Sequence, residues 1–161
     1  MRKVIVMMNS VLSQNEKERG QSFMELAVSL LFLLTLVSAT VDLGWAFYTM
    51  TALRDVAQEG GSYGSMCSNP ALVRKYVKAS ASAPIDMNEL DDSTIAVCYT
   101  RPGQPACMTN MAAVDRGDSV RITITYMHRI VTPFIGAAIG KQEYPLVVEV
   151  TDTVLAPKAC P

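Results

Sequence analysis

Arg19-Gly20-Gln21-Ser22-Phe23-Met24-Glu25, followed by Leu26-Ala27-Val28-Ser29-Leu30-Leu31-Phe32-Leu33-Leu34-Thr35-Leu36-Val37, is the stretch that decides how this chain is read. A basic, polar leader ends in glycine. A carboxylate follows five residues later, at the mouth of an apolar run that carries no charge from Leu26 to Val41. A carboxylate inside a bilayer is costly, so Glu25 calls for a role and a partner. The run alone is slightly short for a span of ~20 residues and must recruit Phe23–Met24 or Asp42–Phe47 at its ends.

Upstream, Arg2, Lys3, Lys17 and Arg19 outweigh Glu16 and Glu18, while the rest of the 161 residues is mildly acidic. The positive leader places residues 1–20 in the cytoplasm and the C-terminal part across the membrane. Val4-Ile5-Val6-Met7-Met8 is too short for a secretory h-region of ~7–15 residues. Cleavage after Ser38-Ala39-Thr40 would instead release a secreted protein without an anchor. No basic patch points to nucleic acid.

Downstream, no proline interrupts the chain from Gln21 to about Tyr63, and helix formers dominate. About 40 residues at ~1.5 Å each predict a rod of ~60 Å, roughly twice the hydrocarbon thickness. Trp45, Phe47 and Tyr48 suit a membrane–water boundary. Met50, Leu53, Ala57 and Gly61 follow helical spacing, with Arg54, Asp55, Gln58 and Glu59 on other faces, an amphipathic pattern that packs on a domain. Gly60-Gly61, with Gly64 beyond, reads as a stop signal; the small-xxx-small spacing of Gly60 and Gly64 is the competing reading. Asp42 reads as an interfacial carboxylate reaching water, against the alternative of a polar contact between packed helices.

Gly20 and Glu25 at this spacing resemble the processing signal of type IV pilin-like precursors. Asp42-Leu43-Gly44-Trp45-Ala46-Phe47-Tyr48, then Leu53, Ala57 and Glu59-Gly60, narrow the resemblance to the TadE-like family of tight-adherence minor pseudopilins. Glu25 is followed by Leu26, not by the tyrosine of the short major pilins of that system, and the chain is longer than those subunits. The proline common near Leu30-Leu31 in such families is missing. The resemblance implies cleavage between Gly20 and Gln21 by a prepilin peptidase, and assembly with other pilins or pseudopilins at a pilus platform in the bacterial inner membrane, then in an extracellular pilus. It implies that Glu25 guides assembly by meeting the new amino terminus of a neighbouring subunit. The alternative is an unprocessed, single-pass anchored binding module.

The outer part, 65–161, is expected to be a small α+β domain beside the helical segment 21–64. Asn69-Pro70 reads as a cap and first helical residue, opening a helix to about Ala81. Thr94 to Thr100 reads as a strand, Arg101 to Pro105 as a turn, and Ala106 to Met108 as a returning strand. Val120, Ile122, Ile124 and Tyr126 alternate with Arg121, Thr123 and Thr125, the period of a strand from Ser119 to Ile130. Leu146 to Val154 is its partner, joined through the apolar connection Thr132-Pro133-Phe134 and Gly136 to Gly140. The fold class is therefore a long membrane-spanning helix whose outer half packs on a small antiparallel sheet.

Four cysteines beyond the membrane favour two disulfides, with three connectivities open. Cys98 and Cys107 flank a proline-glycine turn able to bring them together, which leaves Cys67 and Cys160 to tie the tail to the helix end. Catalysis is not expected: His128 is the sole histidine, Asp91-Asp92 fits a solvated loop, and Arg116-Gly117-Asp118 fits a tight turn. No phosphate loop, metal-ligand set or cofactor motif is present, so no cofactor or metal is expected.

Overall fold

The computed structural model describes residues 2–86, 88–132, 135–137, 140–157 and 160, with residues 2–19 described by backbone alone. Helix α1 (Arg2–Met66) is followed by α2 (Pro70–Ser80), β1 (Ile95–Thr100), a single 3-10 turn at Met111–Ala113, β2 (Ser119–Arg129) and β3 (Glu143–Thr153). The chain divides into two compact units, Met1–Val41 and Asp42–Pro161. The architecture is α+β, a long apolar helix with a three-stranded antiparallel sheet on its outer half.

The first unit is helix alone. From Gly20 to Val37 its side chains are exposed, including Phe23, Leu26, Leu31, Phe32 and Leu34. Its hydroxyls turn back on the helix: Thr35 Oγ1 donates to the Leu31 carbonyl at 2.8 Å and Thr40 Oγ1 to Leu36 at 2.9 Å. Such bonds satisfy polar groups without water, as an apolar surrounding demands.

The second unit holds the core. The strands follow the order β1-β2-β3, with Ile95 opposite Ile124, Tyr99 opposite Val120, Ile122 opposite Val150 and Ile124 opposite Val148. Alternation along β2 turns Val120, Ile122, Ile124 and Tyr126 inward. They meet Leu53, Val56 and Ala57 of α1 and Val73 and Val77 of α2. Asn69 caps α2, its side-chain oxygen accepting from the Ala71 and Leu72 amides at 3.1 and 3.4 Å, and Pro70 fills the first turn.

Several sequence expectations change. Gly60-Gly61 does not end α1, which continues to Met66. These glycines let neighbours approach. A Cβ on Gly60 would collide with Val77 and press on Ile122 at 3.0 Å, and one on Gly64 would sit 3.1 Å from Val120. The space that a side chain would fill is taken by α2 and the sheet, which offsets the ~1 kcal/mol that glycine costs a helix. The buried stripe passes through Ala46, Thr49, Leu53, Val56 and Ala57; Met50 lies outside it, half exposed. Residues 106–108 form no strand. Their segment returns beside β1 through one bond, the Met108 amide to the Tyr99 carbonyl at 2.8 Å. β3 begins at Glu143, three residues earlier than the hydrophobic pattern suggests, because Tyr144 continues the inward alternation opposite His128. Of the apolar connection, Pro133, Phe134, Ala138 and Ile139 lie outside the described residues.

Gly60→Val should destabilise the second unit by ~1–3 kcal/mol through overpacking against Val77 and Ile122. Gly44→Ala, whose new methyl meets nothing within 4 Å, should leave it unchanged or slightly more stable. Denaturant unfolding of the two variants in detergent, followed by tryptophan emission, checks both.

Candidate functional site

Gly20, Gln21 and Glu25 lie in α1, and all three are exposed. A Cβ at Gly20 would meet nothing within 4 Å. Helix α1 from Gly20 contains a window of mean hydropathy 2.2 in which no residue is buried. Among the described residues it is the one helix long and apolar enough to cross a membrane. Exposed leucines at this density are stable only where the surroundings are themselves apolar.

Asp42, the first residue after that run, neither simply faces water nor joins packed helices. Its two carboxylate oxygens accept from the backbone amides of Val131 and Thr132, each at 3.2 Å. These amides follow the end of β2, where the ladder no longer supplies acceptors, so a side chain of α1 takes over that function. The sequence signalled Asp42 as unusual but could not name a partner 89 and 90 residues away. Beside this clamp, Trp45, Thr49, Tyr126, His128, Val131 and Gln142 line a cleft of about 510 Å³. His128 is buried and packs edge-on against Tyr144, with ring centroids 5.5 Å apart. Burial holds its pKa below the ordinary histidine value, against the opposing pull of the Asp42 and Glu89 carboxylates. The imidazole is therefore neutral at neutral pH.

The other end of the unit is tied more heavily. Cys67 is bonded to Cys160, with Cα atoms 4.5 Å apart, and Cys98 to Cys107 at 5.2 Å. The first closes a loop with a sequence separation of 93, worth at most ~4–5 kcal/mol by loop-closure entropy. The segment after β3 reinforces it. The Leu155 and Ala156 amides donate to the Ser65 carbonyl, and the Ser68 amide donates to Pro157. Tyr99, fully buried, places its hydroxyl 2.7 Å from the Cys67 carbonyl and 3.1 Å from that of Gly64. Nothing in the sequence distinguished Tyr99 from the other residues of its strand.

The remaining polar motifs have structural duties. Asp91 accepts from Ser93 and from the Thr94 amide, closing a turn, and these bonds hold its carboxyl below the usual range. Asp92 pairs with Lys78 at 2.9 Å. Asp118 of the Arg116-Gly117-Asp118 turn is buried; it accepts from the Asp115 amide and lies 3.7 Å from Arg101. Gly117 adopts a φ of 96°, the left-handed region that a turn of this kind reserves for glycine. Among the described residues, no group of three or more histidine, cysteine, aspartate or glutamate side chains is placed to hold a metal ion.

A protein-family model described as TadE-like protein matches residues 20–62. This is the family that Gly20–Glu25 and Asp42–Tyr48 resemble, and the matched stretch runs from the glycine before the apolar run, through Asp42, to the glycine face of α1. The match associates the chain with a tight-adherence pilus. No curated protein and no solved structure matches the chain.

Two outcomes follow. Asp42→Ala should accelerate amide exchange at Val131 and Thr132 while leaving Ile122 and Ile124 protected, and should cost roughly 1–2 kcal/mol. Burial pushes the Tyr99 hydroxyl up to about 12 from an ordinary 10.0. Its folded pKa exceeds the unfolded one, so its contribution is complete below pH 10 and is lost as pH rises toward about 12. Alkaline titration of tyrosinate absorbance should show Tyr99 ionising last and together with unfolding.

Proposed function

We propose that this TadE-like chain is a minor pseudopilin, a non-enzymatic structural or assembly subunit of a tight-adherence pilus, matured by a prepilin peptidase acting between Gly20 and Gln21. One observation carries the reading. The family match opens at Gly20, directly before an exposed apolar helix in which Glu25 is the only charged residue until Asp42.

Each part has a physical role. Glycine adds no bulk at the scissile bond and weakens the helix there by ~1 kcal/mol, which favours local opening in a peptidase site. Cleavage leaves Gln21 with a new ammonium group at the membrane surface. Glu25, one helical turn further in, can neutralise that charge on a neighbouring subunit. A carboxylate left alone at a helix centre in lipid costs ~2.5–3.5 kcal/mol on insertion scales. Near the helix start the side chain reaches the interface and the cost is smaller. Pairing then supplies register and partner choice more than raw affinity. The disulfides Cys67–Cys160 and Cys98–Cys107 suit an outer unit placed in an oxidising compartment.

Amino-terminal sequencing of the mature protein should return Gln21 as the first residue. Gly20→Val should abolish that species and leave the full-length precursor; an intact leader on the wild-type protein would instead favour an unprocessed membrane-anchored module. Glu25→Ala should still insert and mature, yet lose co-purification with the other pilus subunits. Undiminished co-purification would reduce Glu25 to a helix-start carboxylate favoured by the macrodipole.

A further inference from the structure

The hydrogen-bond parity of the sheet decides where its unpaired backbone groups point. In an antiparallel ladder, residues that exchange bonds with the neighbouring strand alternate with residues that face away from it. The Ile130 amide donates to the Gln142 carbonyl and the Val154 amide to that of Asp118, both at 2.8 Å and both in register with the β2–β3 pairing. Even-numbered residues of β3 therefore bond to β2, and odd-numbered ones turn their amides and carbonyls to the outer edge. On the far side of the sheet the Thr125 amide donates to the Thr94 carbonyl at 2.9 Å, so Ile95, Val97 and Tyr99 of β1 face outward.

The two edges are treated differently. At β1 the Ile95 carbonyl accepts from Arg74 Nε at 3.1 Å, and the Tyr99 carbonyl accepts from the Met108 amide at 2.8 Å. The Cys98–Cys107 bridge holds the covering segment in place. β3 is closed only towards its ends. Pro145 has no amide to offer, and proline inside a sheet belongs where the missing donor faces outward. The Thr153 amide donates to the Asp152 carboxylate at 2.8 Å. Between them, the outward amides and carbonyls of Val147, Glu149 and Thr151 have no partner among the described residues. These three residues are exposed, whereas Thr125, Thr123 and Arg121, directly opposite them on β2, are half-buried. Such an unpaired row is a template for another strand.

We propose that the edge of β3 from Val147 to Thr151 is a docking surface that accepts an extended, cationic segment of a different protein as a further strand of the sheet. Charge selects the occupant. β3 carries Glu143, Glu149 and Asp152 and no basic residue. The basic residues on its outer face, Arg121 and Arg129, belong to β2, one strand in from the edge. Arg121 reaches Glu149 at 3.4 Å from that side, and the Glu149 side chain stays 54% exposed. Pairing β3 with β3 of a second copy would bring like carboxylates together across the new ladder, which is destabilising. The β1 edge of a second copy is already covered. A segment with Lys or Arg opposite Glu143 and Glu149, and an apolar side chain opposite Val147, satisfies backbone and side chains together. The edge lies wholly within the second unit and does not depend on cleavage at Gly20.

The test is amide exchange followed by NMR on the full chain in uncharged detergent micelles. The probe is a short synthetic peptide laid out antiparallel to β3, with lysine facing Glu143 and Glu149, valine facing Val147, and threonine facing Pro145 and Thr151. N-methylalanine fills the intervening positions, which leaves the peptide a single pairing edge and prevents its own aggregation. In the protein alone, the Val148 and Val150 amides should exchange slowly and those of Val147, Glu149 and Thr151 fast. With the peptide at about ten times its Kd, the three fast amides should slow by about tenfold. A peptide with glutamate in place of lysine should leave them fast. Amides that stay fast with the lysine peptide at about 1 mM overturn the proposal. Equal slowing by both peptides overturns the cationic occupant. Slow exchange at the three amides without peptide shows an edge already covered, by a second copy where dilution restores fast exchange and by the chain itself where it does not; either result overturns the proposal.

Discussion

The close approach of β2 and α2 to the glycine face of α1 is the constraint on which the second unit depends. At Gly60 a side chain would collide with Val77, and at Gly64 it would crowd Val120. That contact sets the depth at which the sheet sits on the helix and fixes which residues of β2 lie beside which turns of α1. With the middle fixed, the two ends can be tied by specific groups. Tyr99 and the Cys67–Cys160 bridge secure the end near Met66. Asp42 secures the other, through two backbone amides. The covalent and charge-assisted ties add to what the core contributes.

One helix thereby serves two surroundings. From Phe23 to Val41 its large apolar side chains are mostly exposed all round. From Ala46 to Ser65 a single stripe of small and branched residues is buried, while Arg54, Asp55, Gln58 and Glu59 face outward. The change falls at Asp42–Tyr48, where a carboxylate, a glycine and three aromatic residues occur within seven positions. A helix apolar on every side is at home only in an apolar medium, and a striped helix only against a partner. The boundary between media is therefore written into the helix itself.

The functional reading rests on this division of labour. The first unit offers an exposed glycine, Gly20, and an exposed carboxylate, Glu25, at the start of the apolar run. The second unit offers no constellation suited to catalysis among its described residues: His128 is buried and neutral, Asp91 closes a turn, and Asp118 is committed to Arg101 and the Asp115 amide. Polar side chains that elsewhere would mark chemistry here hold backbone in place.

Much of this was legible in the sequence, for reasons local to it. Hydrophobic period distinguished the apolar run, the helix stripe and the two long strands. The Asn69-Pro70 cap placed α2, and the glycine–glutamate spacing drew attention to Gly20 and Glu25. What stayed hidden was long-range. Glycines after a helical pattern look like a stop, and only packed neighbours show that Gly60 and Gly64 continue α1 and admit a sheet. Asp42 looked like an interfacial charge because its acceptor duty concerns amides that reach it only after β2 has run back along α1 from Gly64. Tyr99 was one β-former among several until its hydroxyl met the carbonyls at the end of α1. Sequence determines which surfaces are apolar and which backbone conformations are allowed, since both follow from the side chain itself. Which glycine is a hinge, a stop or a seat, and which carboxylate finds an amide, depends on atoms far away along the chain, and only the tertiary structure brings those together.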